Sequence, residues 1–228
     1  MKRVLVAFLF LTAVLRGDDL SAAKAKFAEQ DKALNAAYAG LKGSLAPELF
    51  ADVQEDQRSW IEYRNFMSEG QARDGEPETS VERWKMAAGL TEERISWLRA
   101  WAKLEGRKGW PGSYSDGRGG VLEVAEKGGK FWFSLRVVRG PGFNLGKLRG
   151  EFRVNGKTGW FETKAEGEKA PTWLTFVEDN FHQGRIKVFP ENAGHFHGMR
   201  AYFDGSYLWT GELTADEQKK VIEGDPEE

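Results

Sequence analysis

Apolar positions along the chain change their period near residue 106. Before it they recur at helical spacing: Phe27, Leu34, Tyr38, Leu41 and Leu45 fall on one face of a first helix, and Leu49, Val53, Trp60 and Met67 on one face of a second. Gly40 and Gly43 weaken the end of the first, and Pro47 suits the first turn of the next. The polar run from Gly70 to Thr79, with Pro77 inside it, reads as a loop. A third helix is expected from Thr91 as N-cap, with Leu90 and Ile95 as a hydrophobic staple, running through Trp97, Leu98, Trp101 and Leu104. Residues 81–88 are expected to add a short helix before it.

Beyond residue 106 the period becomes two and turn signals multiply. Val121–Val124 leads through Gly128-Gly129 into Phe131–Val137, and Leu148–Val154 is joined to Thr158–Thr163 across Asn155-Gly156, a strong hairpin cue. Trp173–Val177, Arg185–Phe189 and Met199–Leu208 supply three more strands. Gly112-Ser-Tyr114 near the start and Gly205-Ser-Tyr207 near the end look alike, as if the first and last strands met. The fold class expected is α+β as two domains: an N-terminal all-α helical hairpin plus a third helix, and a C-terminal antiparallel β-barrel-like meander of about eight strands.

Glycine usage agrees, with 6 of the 27 glycines before residue 106 and 21 from there on. Helices avoid glycine and strand–turn folds use it. The expected boundaries are a helical domain at 18–105, a polar linker around Glu105 to Gly109, a β domain at 110–213 and a polar tail at 214–228. Ahead of these, Met1-Lys2-Arg3 and the apolar run from Val4 to Leu15 read as a secretory signal over residues 1–17, too short to span a bilayer.

Polar residues interrupt the two helical faces in a regular way. Asp31, Leu34, Asn35 and Tyr38 share one face of the first helix, and Gln57, Trp60 and Arg64 one face of the second. An unpaired buried polar group costs roughly 1–3 kcal/mol, so these groups must find partners. In an antiparallel hairpin turning near Leu45, facing residues have numbers that sum to about 90. Asn35 then faces Gln57, and Asp31 lies near Trp60 with Arg64 one turn on. The expected contacts are Asp31 with Arg64 or the Trp60 indole, and an amide pair between Asn35 and Gln57. Such residues are expected to define the domain rather than to touch a ligand.

Written out, Asp31-Lys-Ala-Leu34-Asn35-Ala-Ala-Tyr38 followed by Gln57-Arg-Ser-Trp60-Ile-Glu-Tyr63-Arg64 resembles the lysozyme inhibitor LprI-like N-terminal domain family, and Leu90-Thr91-Glu-Glu-Arg94 is similar to its last helix. The resemblance implies an exported binding protein of the bacterial cell envelope, periplasmic or secreted, with lysozyme as the protein partner and lysozyme inhibition as the function. Members commonly carry cysteines near these helices, one just after the arginine of the second motif, where this chain has Met67 and Ser68. The second half is similar to the β domains found C-terminal to LprI-like segments.

With no cysteine at all, a lipid-modified cysteine and a disulfide are both excluded. Without residues 1–17, 30 basic side chains stand against 35 acidic ones. That mild acidity argues against a nucleic-acid binder, and it suits a cationic partner. No membrane anchor is expected after signal cleavage.

Candidate chemistry is sparse. His195-Phe-His197 is the sharpest metal candidate, since alternate residues of a strand point the same way, and His182 lies in a neighbouring predicted loop. No carboxylate completes a metal-ligand spacing beside them, so no metal site is assigned. There is no nucleophile elbow and no phosphate loop, and Glu92-Glu93 and Glu178-Asp179 read as solvated faces. An enzyme is not expected, and no cofactor is implied. Trp132, Trp160, Trp173 and Trp209 could stack on sugars, but among strands they read as core or barrel lining. Two alternatives to the inhibitor remain: a small-ligand-binding barrel with the helices as an interaction module, which needs a hollow interior, and a His-dependent metal hydrolase.

Overall fold

A computed structural model describes residues 3–72, 77–104, 109–179 and 184–224, with side chains from Asp18 onward. The side chains of the expected signal segment, most of the expected linker, His182 and the last four residues lie outside this description. The chain divides into two compact units, Met1–Ser96 and Trp97–Glu228. The division falls inside the third helix rather than in the polar linker.

The first unit contains α1 (Arg3–Ser44), α2 (Pro47–Glu69), a 3-10 turn at Pro77–Thr79 and most of α3 (Val81–Ala100). Leu34, Leu41, Val53, Trp60, Met67, Ala87 and Ile95 are among its buried positions, while Phe27, Tyr38, Leu45 and Leu49 of the expected faces are half-buried. Pro47 opens α2. The third helix differs from expectation. Residues 81–88 do not form a separate helix, and Thr91 is not an N-cap: it sits fully buried inside one continuous helix, its hydroxyl donating to the Ala87 carbonyl at 2.7 Å. That back-bond satisfies the hydroxyl within the helix, so nothing forces a break there.

The second unit is a closed antiparallel barrel in simple sequence order. Its strands are β1 (Gly112–Ser115), β2 (Gly120–Lys127), β3 (Lys130–Arg139), β4 (Asn144–Asn155), β5 (Thr158–Thr163), β6 (Thr172–Glu178), β7 (Arg185–Glu191) and β8 (Gly205–Gly211). The two glycine-serine-tyrosine segments do meet, since β1 pairs with β8 and Tyr114 lies opposite Trp209. The last strand is shorter than expected, because Met199–Asp204 belongs to the β7–β8 loop. Closure leaves no free sheet edge. At the seam a Cβ on Gly112 would run into the Trp209 indole, so only glycine lets these strands come together.

Period-two alternation turns Val124, Phe133, Leu135, Phe161, Leu174 and Phe176 inward. The rings of Phe133, Phe152, Phe161 and Phe176 fill the centre, with centroids 4.9–5.9 Å apart. Gly150 makes room for them, because a Cβ there would overlap the Phe161 ring. The packed interior removes the ligand-binding barrel with a hollow centre. Parity also corrects the tryptophans: next to inward Phe133, Phe161 and Leu174, the residues Trp132, Trp160 and Trp173 face the outside of the barrel, half-buried, and only Trp209 joins the core.

The expected polar tail is also corrected. Residues Ala215–Glu223 form α4, which begins with a complete capping box: Thr214 N–H donates to Glu217 Oε2 at 2.7 Å, and Glu217 N–H to Thr214 Oγ1 at 3.3 Å. Donation from the Thr214 N–H, and from its hydroxyl at 2.8 Å, holds the Glu217 carboxyl below its ordinary range. Val221 docks the helix on Ala125 and Leu213, with Trp132 packed against them.

One buried ion pair organises the β1–β2 corner. Asp116 Oδ2 lies 2.6 Å from Arg139 Nη2, and the two side chains are 6% and 2% exposed. Asp116 Oδ1 accepts from the Arg118 and Gly120 amides at 2.8 Å each, and Arg139 Nη1 donates to the Arg118 carbonyl at 2.7 Å. Burial alone would lower the Arg139 pKa, but the Asp116 carboxylate outweighs it and the guanidinium is held above its ordinary value. Replacing Asp116 by Ala leaves this cation buried without its counter-charge. The expected cost is about 3–5 kcal/mol, read as a fall in the denaturant midpoint of the barrel, whereas an Asp116→Leu/Arg139→Met double variant should recover most of it.

Candidate functional site: a cleft on the helical unit

Three helices bring the motif residues together around Trp60, which is completely buried. Arg64 lies 5.3 Å from the centroid of the Trp60 ring, and Arg94 of α3 is also 5.3 Å from it. Arg64 Nη1 donates to Asp31 Oδ1 at 2.9 Å, which is the facing expected of the hairpin. The amide pair is not found. Gln57 instead accepts from Arg94 Nε at 2.9 Å, and Arg94 Nη2 meets Asp56 Oδ2 at 2.6 Å. Asn35 turns to its own helix and donates to Asp31 Oδ2 at 3.3 Å. A hairpin rule that counts two helices could not foresee this, because the competing donor comes from the third.

The motif residues therefore divide. Leu34, Trp60, Gln57 and Arg94 are buried, and Tyr38 packs on Phe50 with ring centroids 5.3 Å apart. Asp31 stays 38% exposed and Asn35 is exposed. These last two line an open cleft of about 560 Å³ together with Lys24, Phe27, Ala28, Lys32, Glu78 and Trp84. Its apolar floor is the tilted pair of Phe27 and Trp84, with centroids 5.2 Å apart. Trp84 Nε1 donates to the Glu78 carbonyl at 3.2 Å, and Arg83 lies 4.1 Å over the Trp84 ring. An aromatic floor with carboxylates, an amide and lysines on its walls suits a protein surface or loop that presents a mixed polar and apolar face.

Trp84 and Glu78 were not apparent as site residues in the sequence. The only hint is a large aromatic in the polar stretch Val81-Glu-Arg-Trp84.

Residues 17–98 match the family model described as lysozyme inhibitor LprI. The match spans the helices that carry Asp31, Leu34, Asn35, Tyr38, Gln57, Trp60, Arg64 and Arg94, and stops short of the barrel. No curated protein and no solved structure matches the chain. The LprI-like segment thus holds both the buried polar lock and the cleft.

The histidine pair lacks the geometry assumed for it. His195 lies in a 3-10 turn at Gly194–Phe196 rather than on a strand, with Nδ1 3.4 Å from Glu168 Oε1. His197 Nδ1 is 3.1 Å from the Gly198 carbonyl, and its ring packs edge-on against Phe203. Among the described residues no group of three or more His, Cys, Asp or Glu could hold a metal ion.

The division of the motif predicts unequal mutational effects. Gln57→Leu removes an acceptor from the buried Arg94 and should destabilise the LprI-like helices by about 1–3 kcal/mol, while Asn35→Ala should change stability by less than about 0.5 kcal/mol. Helical circular dichroism followed through urea unfolding checks both.

Proposed function

We propose that this protein is an exported, non-catalytic inhibitor that binds a cationic lysozyme through the cleft face of its LprI-like helices. The family match over residues 17–98 carries the reading. Charge distribution supports it: residues 18–98 hold 16 acidic and 10 basic side chains, whereas residues 99–228 hold 19 and 20. The acidic excess therefore resides in the matched segment, where it favours the approach of a cationic protein. The expected leader at residues 1–17 supports delivery to the periplasm or beyond. Among the described residues no helix is long and apolar enough to cross a membrane.

A turbidity assay on peptidoglycan tests this reading. The purified protein at micromolar excess should suppress lysozyme activity and co-elute with the enzyme on gel filtration. Inhibition should weaken as salt rises, because exposed charges are screened beyond about 8 Å at physiological ionic strength. Ala28 lies exposed on the cleft wall. Ala28→Arg adds bulk and positive charge there without disturbing a buried contact, and should raise the inhibition constant at least about tenfold, or ~1.4 kcal/mol. Unchanged lysozyme activity with no complex would refute the proposal.

A further inference from the structure

In an up-and-down barrel alternate loops share an end, so the β1–β2, β3–β4, β5–β6 and β7–β8 loops lie together. Two of them, with the first residues of β4, carry large apolar side chains in the open: Phe143 and Leu145 are 44% and 66% exposed, and Met199 and Tyr202 are 84% and 43% exposed. The loops are tied into one platform. Gly198 N–H donates to the Leu145 carbonyl at 2.8 Å, Gly146 bridges to His197, and Arg139 Nε donates to the Tyr202 carbonyl at 3.4 Å. Phe143 and Arg200 both adopt left-handed backbone, with φ of 50° and 71°. Bulky side chains rarely do so, and here the conformation persists where apolar groups are held outward.

The charge on this platform is opposite to that of the helices. Residues 139–150 and 192–203 contain no Asp or Glu, while exposed Lys147 and Arg200 alternate with the apolar tips. Exposed Glu191 and Asp204 flank the second run, and the β5–β6 loop at the same end is balanced, with Lys164 and Lys169 against Glu166 and Glu168. Protruding apolar tips interleaved with cations suit a bilayer interface: the tips enter the acyl boundary, Tyr202 sits at headgroup level, and Lys and Arg stay with the phosphates. A protein partner would more typically meet a pocket-bearing patch with a polar rim.

We propose that this end of the barrel docks on the surface of an anionic phospholipid membrane. The chain lacks cysteine, so a single introduced thiol can be labelled cleanly. A polarity-sensitive fluorophore on Leu145→Cys should brighten and shift to the blue with vesicles of equal phosphatidylglycerol and phosphatidylcholine. The same label on Lys157→Cys, in the β4–β5 turn at the other end, should not respond. In vesicle sedimentation the unlabelled protein should bind these vesicles at least about tenfold more tightly than pure phosphatidylcholine, and Leu145→Asp/Met199→Asp should lose about tenfold while keeping its circular dichroism. Absence of sedimentation with the anionic vesicles, equal binding to both vesicle types, or equal responses from both labels would overturn the proposal. Concentration-dependent dimerisation without lipid, abolished by Leu145→Asp, would also overturn it and assign the surface to a second copy of the chain.

Discussion

A guanidinium taken out of water must be met by acceptors on the sides it presents, and each half of this protein is arranged around one that is. Arg94 has no exposed side-chain surface, and it is held by Gln57, Asp56 and the face of Trp60. Arg139 plays the same part in the barrel with Asp116, two backbone carbonyls and the Tyr202 ring. The desolvation cost of such an ion is several kcal/mol, so the pairing adds little net stability. What it adds is constraint. Trp60 packs between Arg94 and Arg64, and Arg64 holds Asp31, so these contacts tie all three helices to one another. The driving force for folding comes from the buried Leu, Val, Trp and Phe side chains on either side of these ions.

Periodicity in the sequence was enough to read the two halves, the strand order and the closing of the barrel, because those features follow from local spacing and turn chemistry. The Asn155-Gly156 turn and the repeated glycine-serine-tyrosine segments are local signals of that kind. Readings failed where a competing partner lay elsewhere in the chain. Gln57 follows Arg94 because a charged donor outcompetes the Asn35 amide. Thr91 looked like a cap because a hydroxyl can serve either a helix start or a helix interior, and only packing decides which. The outward tryptophans needed a parity count from the inward phenylalanines, and α4 could have been found from Thr214 and Glu217, the ends of a capping box. The cleft had no local signal, since its walls come from α1, the 3-10 turn and α3.

Charge is unevenly spread in a way that composition hides. The near-neutral total combines acidic helices with a balanced barrel in which the β3–β4 turn with the first half of β4, and the β7–β8 loop, are free of carboxylates over residues 139–150 and 192–203. Exposed charges act over roughly one Debye length, about 8 Å at physiological ionic strength. A partner approaching either surface therefore responds to the local charge, not to the total. The same chain can accordingly attract a cation at one surface and an anion at another without conflict.

In the proposed complex, Asp31 would join fold to recognition. One oxygen is committed to Arg64 and the other to Asn35, yet more than a third of the side chain remains in water on the cleft wall. Water keeps the Asp31–Arg64 attraction weak, because Coulomb energy falls in proportion to the dielectric constant. A protein covering the cleft would displace that water and strengthen the pair, and with it the register of α1 against α2. Binding and helix packing are then thermodynamically linked, since a ligand that favours the native arrangement stabilises it by mass action. Met67 and Ser68 near the end of α2 are buried at about 2% exposure, and the chain has no cysteine. No disulfide ties its helical half, so in the proposed complex occupancy of the cleft would add to the packing that holds its shape.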